Sequence, residues 1–247
     1  MNLQILWVLC PLIFLAGLVD AIAGGGGLIS LTAYSFFLPP TVALGNNKFS
    51  STCGTLVATV RYVKNGDIDW RVAPLALAGA IVGSLAGSRL ALFLDGVYLQ
   101  YLLLVLVPVI GILTFLKPDF GAAKECRHMY LVSLLTGLVI GMYDGFFGPG
   151  TGMFLTWMFS AVVGLELIKS VGTTKIVNLS SNIAAIATFI CNGNVDYRIG
   201  VPCALASIAG GYVGSGLALH KGAKVIKPML AVVLVLLFLN IVRNLFF

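Results

Sequence analysis

Two clusters of glycines interrupt long apolar stretches of this sequence, and each cluster begins four residues after an aspartate. The first is DAIAGGGG, residues 20–27, and the second is DGFFGPGTG, residues 144–152. Glycine weakens a helix interior, and Pro149 removes a backbone donor and disfavours helix at the residue before it. The clusters therefore predict that one helix ends and another begins at each of these points.

The apolar stretches around the clusters are long enough to cross a membrane. About 20 residues span about 30 Å of hydrocarbon, and 59% of the 247 residues are hydrophobic while 10% are charged. The stretches cover residues 3–19, 72–94, 99–116, 129–143, 199–219 and 225–242. Because so low a charge content excludes a water-solvated globule, we expect an all-α, multi-pass integral membrane protein.

Lipid imposes a condition on the glycine clusters. In hydrocarbon every backbone N–H and C=O is satisfied within the protein, so the backbone leaves a helix only where it faces protein or a watery cavity. The next helix then presents free N–H groups and its positive dipole end, which together bind anions. We therefore expect the following residues to bind an anionic substrate: Gly24, Gly25, Gly26, Gly27, Gly148, Gly150, Thr151 and Gly152. The alternative role of such glycines is close helix packing, which we expect for the small residues at 79–88.

The second half of the chain repeats the first. The segment KNGDIDWR, residues 64–71, returns 127 positions later as CNGNVDYR, residues 191–198. Self-similarity of this kind indicates two homologous structural units. We place the units at residues 1–116 and 129–247, joined by a polar linker at residues 117–128 that we expect to be cytoplasmic.

Equivalent loops of the two halves carry opposite charge. Residues 220–227 hold three lysines and no acid, whereas the equivalent loop DGVY, residues 95–98, holds one acid and no base. Lysine and arginine are enriched in cytoplasmic loops, so the two loops are expected on opposite sides of the membrane. The halves are therefore predicted to be inverted, with four to five membrane segments each and with their breaks facing each other near the midplane.

A polar stripe follows each glycine cluster. At helical spacing Lys48, Ser51 and Thr55 share one face, and so do Lys175, Asn178 and Asn182. Polar side chains are costly against lipid and are expected to face the interior or a watery path. We expect these residues to line the substrate path: Asn46, Asn47, Lys48, Ser51, Thr173, Thr174, Lys175 and Asn178. The alternative for a lysine near the end of a span is that it snorkels to the membrane surface.

Asp20 and Asp144 admit two roles. They could form structural ion pairs with Lys48 and Lys175 that hold the broken segments in place. Alternatively, one of them takes up and releases a proton during transport. Both roles stay open from the sequence alone.

The motifs also carry a family resemblance. DAIAGGGGLISL, ALGNNK, YDGFFGPGTGMFL and SVGTTKIVNLSSN occur in this order, and the whole chain resembles the sulfite exporter TauE/SafE family, especially its YfcA-like bacterial members. The resemblance implies a secondary transporter of the bacterial inner membrane that exports small anions, namely sulfur-containing oxyanions or organosulfonates such as sulfite. A passive anion channel is the alternative.

Other classes of function lack their signatures in the sequence. Neither glycine cluster continues into the Gly-Lys-Ser/Thr of a P-loop, and the five cysteines and two histidines show no metal-ligand spacing. Topology accounts for the short basic loops. We therefore expect no enzyme activity, no metal, no cofactor and no nucleic-acid partner. The expected partners are a small anionic substrate, the lipid bilayer and a proton or other coupling ion.

The predicted topology places Lys64 and Lys224 in the cytoplasm, and Asp95 and Asn194 outside. In a cysteine-free background, single cysteines at these four positions are expected to react with an impermeant thiol reagent from outside only at positions 95 and 194. Labelling of Asp95→Cys and Lys224→Cys from the same side would contradict the inverted arrangement.

Overall fold

The computed structural model describes residues 3–93, 126, 128–226, 228–229 and 232, and the α-helix is the dominant element throughout these ranges. The helices are α1 Leu6–Ala23, α2 Gly26–Ser35, α3 Pro40–Asn65, α4 Ala73–Phe93, α5 Met129–Phe146, α6 Thr151–Trp157, α7 Leu167–Cys191 and α8 Tyr197–Lys221. A 3-10 turn at Leu3–Ile5 precedes α1, and a π-helical turn at Met158–Val162 extends α6. The prediction of an all-α protein is confirmed.

Five of these helices are long and apolar enough to span a membrane: α1, α4, α5, α7 and α8. Helix α3 has 26 residues, but its mean hydropathy is lowered by the polar stripe that faces the interior. The segments predicted at 99–116 and, apart from its first residues, at 225–242 lie outside the described residues, as do Asp95 and most of the linker 117–128. The number of segments in each half therefore stays a prediction.

The chain breaks its helices at both glycine clusters, as the sequence predicts. Helix α1 ends at Ala23, and Gly24 follows in the left-handed conformation with φ 80°, donating its N–H to the carbonyl of Asp20 at 2.8 Å. At the second break Gly148 and Gly150 have φ values of 96° and 82°. Helix α2 has only ten residues, which is about 15 Å at the helical rise and half the depth of the hydrocarbon.

Small residues let neighbouring helices pack backbone to backbone. Gly83 of α4 lies against the Leu138 carbonyl and the Met142 N–H of α5, and a Cβ at Gly83 would lie 2.7 Å from that nitrogen. In the other pair of helices, Gly210 of α8 lies in the same way against Phe14 and Leu18 of α1. The packing role expected for residues 79–88 therefore fits the structure, and its repetition in α8 follows the sequence repeat.

The packing directions relate the two halves. Arg61 near the end of α3 donates to the carbonyl of Tyr212 in α8, while Gly45 near the start of α3 lies against Asn194 just before α8, so α3 and α8 run parallel. At one level of α3 and α7, Lys48 lies beside Asn182. At another level, Thr55 of α3 and Lys175 of α7 both contact the Asp20 carboxylate. These two equivalent helices therefore run antiparallel. This geometry supports the inverted arrangement, which stays a prediction for the membrane orientation.

Gly83→Ala is expected to lower the free energy of unfolding by about 1–3 kcal/mol, because the added methyl group overpacks a backbone contact. This loss should appear although alanine favours an exposed helix by about 1 kcal/mol over glycine. The measurement is the thermal unfolding midpoint of the purified protein in detergent. Val82→Ala, at an exposed position on the same helix, is the control and should leave the midpoint near that of the wild type. Equal midpoints for the Gly83 variant and the wild type would contradict the packing account.

Candidate functional site

The two helix breaks touch each other at the centre of the described structure. The backbone of Gly24 lies directly against Gly152 and Met153, and a Cβ at Gly24 would lie 2.7 Å from the Met153 nitrogen. A Cβ at Gly27 would lie 3.2 Å from the Cα of Pro149. Glycine is therefore required here both for the backbone conformation and for the close approach of the two halves.

Two ion pairs join the halves around the breaks. Lys48 Nζ lies 2.8 Å from Asp144 Oδ1, and Lys175 Nζ lies 3.3 Å from Asp20 Oδ2. Each lysine therefore pairs with the aspartate of the opposite half, not with the aspartate of its own half. The lysines are fully buried, which excludes snorkelling to the membrane surface in this structure.

Each ammonium also lies where a broken helix ends. Lys175 donates to the main-chain carbonyl of Asp20, in the last turn of α1. Lys48 donates to Asn182 Oδ1 at 3.1 Å, and Ser181 donates its hydroxyl to Asp144 Oδ2. The negative end of a helix dipole adds to the attraction of the carboxylate for the lysine, so both breaks are stabilised by a cation from the other half.

A small polar cavity lies between the breaks and the ion pairs. Its volume is about 20 Å³, which holds about one water molecule. Its lining comes from both halves: Asp20, Gly24, Gly27, Asn47, Lys48, Ser51, Asp144, Gly148, Thr151, Gly152, Asn178 and Asn182. Asn178 Oδ1 is buried, and within the described residues it has no hydrogen-bond partner. A buried acceptor of this kind is suited to an ordered water or to a ligand group that donates a hydrogen bond.

Four of the predicted site residues do not line this cavity and make structural contacts instead. Asn46 donates its amide to the carbonyl of Val42, Thr174 lies 3.2 Å from the hydroxyl of Thr156, and Gly150 is the residue before α6. Gly25 precedes α2 in the same way. These contacts help to define the ends and the packing of the helices around the site.

Thr173 also lies away from the cavity. Its hydroxyl accepts a hydrogen bond from the backbone N–H of Asp69 at 3.0 Å, in the loop between α3 and α4. Hydrogen bonds from the Arg71 guanidinium hold the pKa of the Asp69 carboxyl below its ordinary value. Thr173 therefore anchors α7 to a loop of the other half.

Two further predicted residues, Gly26 and Lys175, lie beside the cavity, and the other predicted residues line it. Gly26 lines a second, smaller cavity that shares Asp20 and Ser51 with the first. Lys175 reaches the site through its ion pair with Asp20. The predicted set omits Asn182 and Ser181, which bind the Lys48–Asp144 pair. The helical spacing of Asn182 from Lys175 and Asn178 signals its position, whereas Ser181 carries no such signal.

Removing one partner of the Lys48–Asp144 pair is expected to destabilise the protein by about 3–5 kcal/mol, because the other charge is left buried and unpaired. Lys48→Met and Asp144→Asn should each lower the unfolding midpoint, and the double variant should recover most of the loss. Lys64→Met, at an exposed position on the same helix, is the matched control. A double variant that loses the sum of the two single effects would show that the residues are not coupled.

Comparison with known proteins identifies the family. The family model described as Sulfite exporter TauE/SafE matches residues 9–241. The "Probable membrane transporter protein ORF9" of Sinorhizobium sp is 35% identical over 235 residues, which cover 94% of this chain and 90% of the relative. The "Probable membrane transporter protein YfcA" of Escherichia coli strain K12 is 34% identical over 232 residues, with 93% and 86% covered.

A "Probable membrane transporter protein" of Haemophilus influenzae is 33% identical over 236 residues, which cover 94% of this chain and 92% of the relative. No solved structure matches the chain. The names of these relatives state a transport role, which is not an enzymatic one. Together with the five apolar helices, they mark the protein as a multi-pass bacterial membrane protein. With the family model matching nearly its whole length, the chain belongs to the sulfite exporter TauE/SafE family of membrane transporters.

Proposed function

We propose that the protein is a secondary transporter of the bacterial inner membrane that exports small anions through the central site between its two halves. The proposed substrates are sulfur-containing oxyanions or organosulfonates such as sulfite, the anion after which the family is named. The observation that carries the proposal is the polar cavity between the two helix breaks, which is lined by Lys48 and by glycines of both halves. No other buried lysines besides Lys48 and Lys175 occur among the described residues.

The chemistry of the cavity suits an oxyanion. An ammonium in a weakly solvated site attracts an anion far more strongly than the same group in water does. The hydroxyl of Ser51 and the amides of Asn47, Asn178 and Asn182 offer hydrogen bonds to several oxygens at once. Small polar side chains around a cation therefore favour a compact, strongly hydrated anion over a large apolar one.

The size of the cavity favours a carrier over the passive channel. The space is about 20 Å³, so a sulfite-sized anion enters only if the two halves move apart. A site closed in this way, between inverted halves, is the geometry of alternating access. An open anion channel would instead need a continuous watery path past Lys48.

Counterflow in proteoliposomes tests both parts of the proposal. We expect labelled sulfite to exchange against unlabelled sulfite with trans-stimulation, which a channel does not give. The Lys48→Met/Asp144→Asn double variant should fold but lose this exchange, because it lacks the cation in the cavity. Lys64→Ala is the control and should retain exchange.

The same purified proteins can be tested for thermal stabilisation by sulfite, thiosulfate, sulfoacetate, taurine and sulfate. A ligand at 100 times its dissociation constant stabilises the folded state by about 2.7 kcal/mol. Exchange at the wild-type rate in the folded double variant would remove Lys48 from the substrate site. The absence of exchange and of stabilisation by every anion of the panel would overturn the proposed substrate class.

A further inference from the structure

The two ion pairs occupy equivalent places in the two halves, but they differ in the exposure of the aspartate and in the distance between the charged atoms. The Asp144 side chain is 3% exposed and lies 2.8 Å from its lysine, whereas the Asp20 side chain is 19% exposed and lies 3.3 Å from its lysine. Both oxygens of Asp144 are bound, one by Lys48 and the other by Ser181. The Asp20 carboxylate therefore has more room and weaker partners.

The sequence repeat explains this difference. The position equivalent to Ser181, 127 residues earlier, is Gly54, which has no hydroxyl to donate to Asp20. The position equivalent to Asn182 is Thr55, whose hydroxyl lies 3.5 Å from Asp20 Oδ2, at the limit of a hydrogen bond. Asp20 thus lacks the close hydroxyl contact that holds Asp144.

Asp20 is also the aspartate that lies between two cavities. It lines the central cavity and also a second one of about 10 Å³, together with the hydroxyl groups of Ser30, Ser51, Thr55 and Ser207. A space of that volume is about the smallest that holds a water molecule. Hydroxyl groups of this kind can pass a proton through hydrogen bonds, so Asp20 has a polar route that Asp144 lacks within the described cavities.

The groups that face Asp20 come from several helices. Helix α7 contributes the Lys175 ammonium, and α3 contributes the Thr55 hydroxyl. Helix α3 also contributes Tyr62, whose hydroxyl donates to the carbonyl of Ala21, the residue after Asp20. Helices α2 and α8 face it with the hydroxyls of Ser30 and Ser207. The other ionisable groups of the shared cavity, Lys48 and Asp144, already neutralise each other. Lys175 is therefore the charge that responds most directly when Asp20 changes its own.

The site as it stands is electrically neutral, because two buried lysines face two aspartates. An anion that enters a neutral, weakly solvated site leaves one negative charge uncompensated, which is costly. A proton that binds Asp20 removes this excess and releases the Lys175 ammonium from its carboxylate. The Lys175 ammonium is then free to join Lys48, which lines the cavity, in attracting the anion.

On the basis of the anion transport proposed above, we infer that Asp20 is the proton-binding group that couples anion movement to protons, while Asp144 is a permanent counter-ion of Lys48. One O–H bond forms on the Asp20 carboxylate with a proton from bulk hydronium that is relayed through the cavity, so no hydroxide remains, and the Asp20–Lys175 ion pair breaks. When the anion leaves, the proton returns to water and the ion pair forms again. A monoanion therefore moves together with one proton without net charge, whereas a dianion such as thiosulfate moves with one proton and one net negative charge. The direction follows the combined gradients of the anion and the proton.

Infrared difference spectroscopy of the reconstituted full-length protein tests the proton site without any substrate. Stepwise acidification is expected to produce the C=O stretching band of a buried protonated carboxyl group. Asp20→Asn should lack this band, and the Lys48→Met/Asp144→Asn double variant should retain it. Asp20→Glu keeps a carboxyl group and should shift the band, which gives a second test if Asp20→Asn does not fold. The assignment would be overturned if the band had the same frequency in Asp20→Glu as in the wild type. It would also be overturned if the band were present in Asp20→Asn and absent from the Lys48→Met/Asp144→Asn double variant.

Anion binding supplies the coupling test. Thiosulfate is the probe, because it does not itself take up a proton near neutral pH as sulfite does. We expect its affinity for the wild type to fall about tenfold for each pH unit above the pH at which the infrared carboxyl band disappears, as one linked proton requires. In Asp20→Asn this dependence on pH should disappear.

The two tests separate the inference from the function on which it rests. If thiosulfate and the other anions of the panel fail to bind while the Asp20 band is present, the proposed substrate class fails and the proton site stands. If the anions bind with the same dependence on pH in Asp20→Asn as in the wild type, the coupling role of Asp20 fails and anion transport stands.

Discussion

The ion pairs between the halves are the interaction on which the rest of the structure depends. A buried ammonium is tolerated only with a counter-charge and hydrogen bonds around it. In this protein each counter-charge, Asp144 for Lys48 and Asp20 for Lys175, comes from the other half. Lys175 also donates to the Asp20 carbonyl in the last turn of α1, and Lys48 lies beside Gly148, just after α5. The same few atoms therefore maintain the breaks, the cavity and the contact between the halves.

The glycines make this arrangement possible. The chain leaves the helix at Gly24 and Gly148 with positive φ values. Gly24 and Gly152 allow the backbones of the two breaks to touch, and a Cβ at Gly148 would lie 2.8 Å from Lys48 Nζ. A side chain at these positions would separate the breaks and lengthen the ion pairs. Away from the centre, glycines of α4 and α8 have the different task of packing one helix against another, which explains why glycine content alone does not locate the site.

Local constraints explain what could be predicted from the sequence. The breaks follow from glycine and proline, and the buried faces of α3 and α7 follow from polar side chains at helical spacing. The partner of each lysine could not be predicted, because it depends on the antiparallel crossing of α3 and α7. Asn46 donates to Val42 within α3, although its neighbour Asn47 lines the cavity, and Thr173 contacts the loop between α3 and α4. Asp144 has a close hydroxyl contact and Asp20 lacks one because the equivalent positions are Ser181 and Gly54. The sequence shows this difference in residue type, but only the packing shows that these positions lie near the carboxylates.

Each half supplies the counter-charge for the buried lysine of the other half, and this arrangement has a consequence for biosynthesis. During synthesis the first half enters the membrane before Asp144 exists, so Lys48 has to wait for its native partner until α5 is in place. Neither half is then a complete folding unit, and α1 lacks its α8 neighbour until almost the whole chain has been made. A truncated product would expose an unpaired ammonium and a glycine-lined helix face to lipid, both of which membrane quality control can recognise. The duplicated halves therefore depend on each other as the two subunits of an obligate dimer do, although they are joined in one chain.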